Sequence, residues 1–300
     1  MSRFLAALRS GRVLLMDGAM GTELLRAGLK PEDLAESWNF THAEQVESVH
    51  RSYCVAGAEC LLTNTFQASP VRSANAKTRL DWSATYQTAL RIARKAATPD
   101  TFVLASVGPF EAGIWPARGL VRRLVDSVRS ADAILFETFS DPKVLDVVEH
   151  ASPALSLESA APPVLLSIAF ERTAGGRIRS RTADMPEQFA RWAKKRGVAG
   201  LGVNCGREIG MDDVKTIIRR YRQVTDLPLF VRPNAGTPQK SEAGWVYPHS
   251  PAAMVEQLPE LLATGIAMIG GCCGTTPAHI AAFKPIVDEW NRTHGVPESK

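Results

Sequence analysis

Residues 200–206 read Gly200-Leu201-Gly202-Val203-Asn204-Cys205-Gly206. A short apolar run stops at polar residues and glycine, and a stretch of helical character follows. The same figure recurs from one end of the chain to the other. It predicts strands at Val13–Asp17, Glu59–Thr63, Phe102–Val107, Ala133–Glu137, Val164–Ala169, Gly200–Asn204, Leu229–Pro233 and Ile266–Gly270. Between them, apolar residues take helical spacing. In Ala43–Gly57, residues Val46, Val49, His50, Tyr53 and Cys54 fall on one helical face. Pro186–Gly197 and Pro251–Gly265 are predicted helices closed by glycine. Strands alternating with helices eight times over 300 residues predict an α/β fold, a (β/α)8 TIM barrel. A doubly wound open sheet is the alternative. No linker or low-complexity segment interrupts the pattern, so residues 1–300 read as a single domain. The Ala/Ser/Pro-rich stretch Ala151–Pro163 is expected to form a helix and loop within it.

The hydrophobic fraction of 45% and charged fraction of 22% are those of an ordinary soluble globular protein. The net charge of +4 is mild, and no basic run carries interleaved aromatics, so nucleic acid is not implied. No apolar run reaches the roughly 18 residues of a membrane span. Met1–Gly11 lacks the sustained apolar core of a secretory leader. A reducing cytoplasm is therefore the expected compartment. There, clustered cysteines point to metal or catalysis over disulfides.

On a barrel, active sites lie at the carboxyl ends of the strands. The polar residues punctuating those ends are Asp17, Thr63, Asn64, Thr65, Ser106, Glu137, Cys205, Asn234, Cys272 and Cys273. They are expected to ring one mouth. Cys205 follows the sixth predicted strand, and the adjacent Cys272 and Cys273 follow the eighth, inside Gly270-Gly271-Cys272-Cys273-Gly274-Thr275-Thr276. Vicinal cysteines make strained disulfides. Three thiolates can instead hold a tetrahedral soft metal and leave its fourth position open, as a catalytic zinc requires. The flanking glycines let the backbone turn sharply there. Thr275 or Thr276 is expected to cap a following helix, with Pro277 in its first turn. Cys54 and Cys60 read as buried hydrophobes. No Cys-x-x-Cys motif favours redox chemistry, and the histidines lack metal-ligand spacing and read as surface or helix residues.

Asp17 ends the first predicted strand and Glu137 the fourth. Asp17 alone reads as a cap, but two carboxylates at one mouth could hold a substrate ammonium group.

These motifs resemble the homocysteine S-methyltransferase family. It includes the betaine–homocysteine and S-methylmethionine–homocysteine enzymes and the homocysteine module of cobalamin-dependent methionine synthase. The matching stretches are Asp17–Thr22, Thr63–Phe66, Glu137-Thr138, Gly202–Gly206, Pro233–Gly236 and Gly270–Thr276, in family order across nearly the whole chain. The resemblance implies zinc (Zn2+) on Cys205, Cys272 and Cys273. It implies that Asp17 and Glu137 bind the homocysteine amino group, and that Gly18 and the Thr63–Thr65 segment hold its carboxylate. Asn234 is implied to lie close to zinc, as a weak fourth ligand in the absence of substrate. The implied reaction moves a methyl group from an activated small-molecule donor to the homocysteine thiol, giving methionine. Alternatives keep the zinc but use another thiol or selenol, or make the barrel a non-catalytic zinc- or amino-acid-binding subunit. The donor half departs from the family: Gly108–Ala131 is short, and Gln67 and Thr138 stand where betaine enzymes place tyrosines. Trp38, Phe110 and Trp115 remain for cation–π contacts or for packing. No Asp-x-His-x-x-Gly motif is present, so a corrinoid or folate donor would come from a separate protein.

Overall fold

The computed structural model describes residues 1–69, 80–110, 114–151, 161–241 and 244–295. Its centre is a ring of eight parallel strands: β1 (Leu14–Leu15), β2 (Cys60–Leu62), β3 (Phe102–Val107), β4 (Ala133–Phe139), β5 (Val164–Ile168), β6 (Gly200–Asn204), β7 (Leu229–Arg232) and β8 (Met268–Ile269). They run in spatial order β1-β8-β7-β6-β5-β4-β3-β2. Between β1 and β2 the ring closes through a parallel bridge from Met16 to Cys60. Glu59 N donates to the Leu15 carbonyl at 2.7 Å and Asp17 N to the Cys60 carbonyl at 2.9 Å. The chain is a TIM barrel, as the strand pattern predicts. β1 and β8 are shorter than the predicted Val13–Asp17 and Ile266–Gly270, although Asp17 N and Gly270 N still donate to the Cys60 and Val231 carbonyls of the neighbouring strands.

Parallel neighbours need crossovers, and helices packed outside the ring supply them. Ala43–Val55 buries Val46, Val49, His50 and Tyr53, the predicted face. Trp82–Ala96 starts at Asp81, whose side chain accepts from the amides of Ser83 (2.9 Å) and Ala84 (3.2 Å). The predicted helix Pro251–Gly265 is instead two short ones, Pro251–Val255 and Leu258–Leu262. Pro259 has no N–H to give the Val255 carbonyl, and its ring crowds that carbonyl, so one continuous helix is not available. Residues 152–160 of the predicted Ala151–Pro163 helix and loop lie outside the described residues, as do 111–113 within Gly108–Ala131. Among the described residues no helix is long and apolar enough to cross a membrane.

Two cores result. One lies between the strands and the outer helices. The other fills the ring with alternate strand residues, among them Leu14, Met16, Leu62, Leu104, Leu135, Leu165, Phe230 and Met268. The N-terminal helix Arg3–Leu8 joins this second core through Phe4 and Leu8, with Phe4 edge-on to Phe102 at 5.3 Å. Gly202 on β6 makes room for the Phe230 ring of β7: a Cβ there would lie 2.4–2.6 Å from three ring carbons. Strand alternation then sets what comes next. Two residues beyond Leu104, Leu135 and Phe230 stand Ser106, Glu137 and Arg232, all buried. One layer toward the carboxyl ends, the ring turns from apolar to polar. That layer is the floor of the candidate site.

Candidate active site

A cavity of about 440 Å³ opens at the carboxyl mouth, lined by Gly18, Thr63, Asn64, Thr65, Ser106, Glu137, Thr138, Cys205, Arg232, Cys272 and Cys273. Its thiols are the only group of at least three His, Cys, Asp or Glu among the described residues placed so that it could hold a metal ion. The Sγ atoms of Cys205, Cys272 and Cys273 lie within 4.8 Å of one another. Cys272 and Cys273 Sγ are 4.0 Å apart.

Backbone lacing between loops holds them there. Gly271 N donates to the Asp17 carbonyl (2.9 Å) and Cys272 N to the Pro233 carbonyl (2.8 Å). Ala235 N donates to the Cys273 carbonyl (3.0 Å). The loop after β8 is thus tied to those after β1 and β7. Gly271 is required because a Cβ would come within 2.2 Å of Thr275 Oγ1. That hydroxyl donates to the Cys272 carbonyl (2.7 Å) and accepts from Ala19 N (3.2 Å). The Tyr53 hydroxyl donates toward the Ala19 carbonyl (2.9 Å), and the Thr275 carbonyl lies 3.2 Å away. Thr276 is the N-cap of helix Pro277–His294, with its amide donating to His279 Nδ1 at 3.1 Å. Cys205 sits in left-handed backbone, φ 53°, an uncommon setting for a side chain and one that clusters at functional sites.

The thiols interact strongly. Sulfhydryl contacts from Cys272 and Cys273 pull the Cys205 thiol down to about 3. Hydrogen bonding to Cys205 in turn raises Cys272 and Cys273, each of which keeps its proton to donate. Three half-buried thiols this close favour a single thiolate by themselves; three thiolates there need a cation among them. Asn234 Nδ2 lies 3.8 Å from Cys205 Sγ, and its buried Oδ1 has no hydrogen-bond partner. Three soft donors beside an orphaned carbonyl oxygen are the donor set of a thiolate zinc site, so the residues fit the metal.

The carboxylates occupy the floor. Asp17 does not cap a helix, since helix Met20–Arg26 begins after Ala19. Its Oδ2 accepts from Leu62 N at 2.7 Å. Glu137 sits at a register shift in β4 between Phe136 and Phe139. The next residue, Thr138, has φ 65°. Asn204 of β6 pins this irregularity: its Oδ1 accepts from Thr138 N (3.0 Å) and Ser167 Oγ (2.6 Å), and its Nδ2 donates to Thr138 Oγ1 (2.7 Å). Ser106 Oγ donates to Glu137 Oε1 at 2.5 Å. Burial pushes Asp17 up to about 7 and raises Glu137, against the opposing pull of Arg232. The Thr63 and Thr65 hydroxyls share a 2.6 Å bond, and both contact the Ser106 backbone.

Arg232 is the residue that sequence reasoning missed. Nη1 donates to Glu137 Oε2 (2.8 Å), and Nη2 to Asp17 Oδ1 and the Gly18 carbonyl (both 3.2 Å). The alternation Phe230–Arg232 was the available signal for an inward side chain. Two histidines take the helix positions expected of them and are buried there: His50 fully, and His279 with its ring between Thr276 and the His249 carbonyl. Gln67 and Thr138 line the cavity, whereas Phe110 and Trp115 pack edge-on to each other and lie against Phe139. Trp38 is buried and stacks on His42 at 4.4 Å.

Fold and site together define a TIM-barrel protein with a three-thiol site able to hold a metal ion at its carboxyl mouth. Residues 14–287 match the family model described as homocysteine S-methyltransferase, and the chain belongs to that family. It is 30% identical over 310 residues to homocysteine S-methyltransferase of Escherichia coli K12, which covers 93% of this chain and 96% of the relative. It is 31% identical over 296 residues to methionine synthase of Mycobacterium tuberculosis, covering 90% of this chain but 24% of the relative. The chain thus spans about a quarter of the length of the methionine synthases it matches. The metallated crystal form of the homocysteine methyltransferase MmuM from Escherichia coli shares the fold, with a TM-score of 0.72 at 24% identity, covering 95% of this chain and 99% of that one.

Proposed function

We propose that this chain is a zinc-dependent S-methyltransferase that moves a methyl group from an activated donor to the thiol of homocysteine, giving methionine. The observation that carries the reading is the convergence of three thiols at a cavity lined by buried Glu137, with buried Asp17 joined to it through Arg232. Cys205, Cys272 and Cys273 are the proposed zinc ligands, with Asn234 beside the metal. When bound, zinc would supply Lewis acidity that lowers the acceptor thiol's pKa to near neutrality. Asp17 and Glu137 are proposed to orient the acceptor's amino group, and Gly18, Thr63 and Thr65 its carboxylate. Holding the amino-acid end at the floor points the side-chain sulfur toward the cysteines. Met20, Leu25, Leu29 and Pro31 add apolar surface to the cavity lining, along which a donor is proposed to approach. Residues 1–300 are proposed to act as one homocysteine-binding barrel in the cytoplasm.

The test is direct. Purified zinc-loaded protein is mixed with homocysteine and, in turn, S-methylmethionine, S-adenosylmethionine, betaine and methyltetrahydrofolate. Methionine from at least one donor is expected, and its loss in Cys273→Ala. Silence across all donors, or full activity in metal-free protein, refutes the proposal.

A further inference from the structure

The two floor carboxylates already have a cation between them. Each of their four oxygens has a donor from the protein: Leu62 N and Arg232 Nη2 for Asp17, Ser106 Oγ and Arg232 Nη1 for Glu137. Arg232 is 4% exposed and lines the cavity. Its Nε is buried with no hydrogen-bond partner. Among the described residues that line this cavity there is no other Lys, Arg or His.

We propose that Arg232 is a specificity-determining residue of the acceptor site, its guanidinium taking the place between Asp17 and Glu137 that an acceptor's ammonium group would fill. This rests on the acceptor site proposed above and narrows the part of Asp17 and Glu137 there: they meet the acceptor's amino group only by sharing oxygens that Arg232 already holds. An open pair of buried carboxylates would reject an acceptor lacking the amino group by about 10⁴-fold, because both charges would be left without a partner. Here the carboxylates keep Arg232 whichever acceptor enters. An arriving ammonium must share their oxygens and meets a fixed positive charge. The site therefore accepts ω-thiol carboxylic acids that lack a free α-amino group, and discriminates weakly in favour of homocysteine.

The experiment compares two acceptors that differ only in the α-amino group, L-homocysteine and 4-mercaptobutanoate. Their dissociation constants are measured calorimetrically on zinc-loaded protein, so that no methyl donor is needed. In the native protein the preference for homocysteine is expected to be below about 100-fold; a larger preference overturns the proposal. In Arg232→Gln the two carboxylates lose their internal cation. The preference is then expected to rise at least tenfold, the worth of about one charged hydrogen bond. A smaller change in folded Arg232→Gln overturns it. Arg232→Lys keeps the charge and is expected to stay within tenfold of the native preference; a larger departure also overturns it. If Arg232→Gln does not fold, the native and Arg232→Lys ratios decide. Binding of neither thiol would refute the acceptor site itself, and this inference with it. Tight binding of homocysteine alone would refute only the role of Arg232.

Discussion

His50 lies fully buried in the face that helix Ala43–Val55 turns to the core, and neither ring nitrogen has a hydrogen-bond partner. Desolvation pulls its pKa from the usual 6.5 down to about 4, with Glu47 opposing. The folded protein therefore keeps the imidazole neutral, while the unfolded chain binds a proton below pH 6.5. Stability is full above that value, falls as pH drops, and levels off below about pH 4. Between pH 7.5 and 5.0 the loss from this residue is about 2 kcal/mol, rising to about 3 kcal/mol at the acid limit. His50→Leu replaces the ring with an apolar side chain of similar volume and removes the proton site. At pH 7.5 the variant is expected to be more stable by about 1 kcal/mol, since two polar atoms no longer lie buried without partners. At pH 5.0 its advantage is expected to widen by the further 2 kcal/mol or so. Urea unfolding at both pH values, read as midpoint with unchanged slope, measures this. Only the difference between the proteins isolates His50, because the raised Asp17 and Glu137 titrate with the opposite sign in both. An advantage equal at the two pH values would refute the reasoning.

Three other perturbations test separate parts of the structure. Gly202→Ala drives a methyl group into the Phe230 ring and is expected to cost about 1–3 kcal/mol in urea unfolding; an unchanged midpoint would mean that the barrel interior gives way freely. Asn204→Ala removes the bonds that hold Thr138 at φ 65° and is expected to cost about 2 kcal/mol or more. It should also weaken acceptor binding, and a variant of native stability would dismiss Asn204 as the pin of that bulge. Metal analysis after dialysis should find about one zinc per native chain and almost none in Cys273→Ala. Chelation should lower the native stability, by about 4 kcal/mol if free zinc had stood at 1,000 times its dissociation constant; equal chelator response in both proteins would exclude the cluster as the site.

What the sequence made legible was local. Each strand announced itself by a short apolar run and a polar stop. The stops placed Asp17, Glu137, Cys205, Cys272 and Cys273 at one end because strands in a barrel all point the same way. The break at Pro259 was also local, but the helical spacing of Pro251–Gly265 masked it. Long-range pairings were not legible. Nothing near Arg232 in sequence says that its guanidinium reaches Asp17 and Glu137, 215 and 95 residues away. The bulge at Thr138 depends in the same way on Asn204, 66 residues later. His50 was placed on the right helix face, yet its lack of any partner is a property of what packs over it.

Two negative clusters share one mouth, and the fold treats them differently. The carboxylates receive their counter-charge from inside, through Arg232, whose position follows from strand parity and does not depend on any ligand. The thiols receive none: the Arg232 guanidinium stabilises Cys272 only through space, its hydrogen bonds being given to Asp17, Glu137 and Gly18. A second or third thiolate must wait for a cation from outside. The chain thus presents a floor whose carboxylates share an internal cation before any acceptor arrives and a rim whose thiols have none until a metal binds. If so, metal binding orders the rim and leaves the floor unchanged. Discrimination between acceptors by their amino group is then fixed by residue 232, independently of the chemistry at the cysteines.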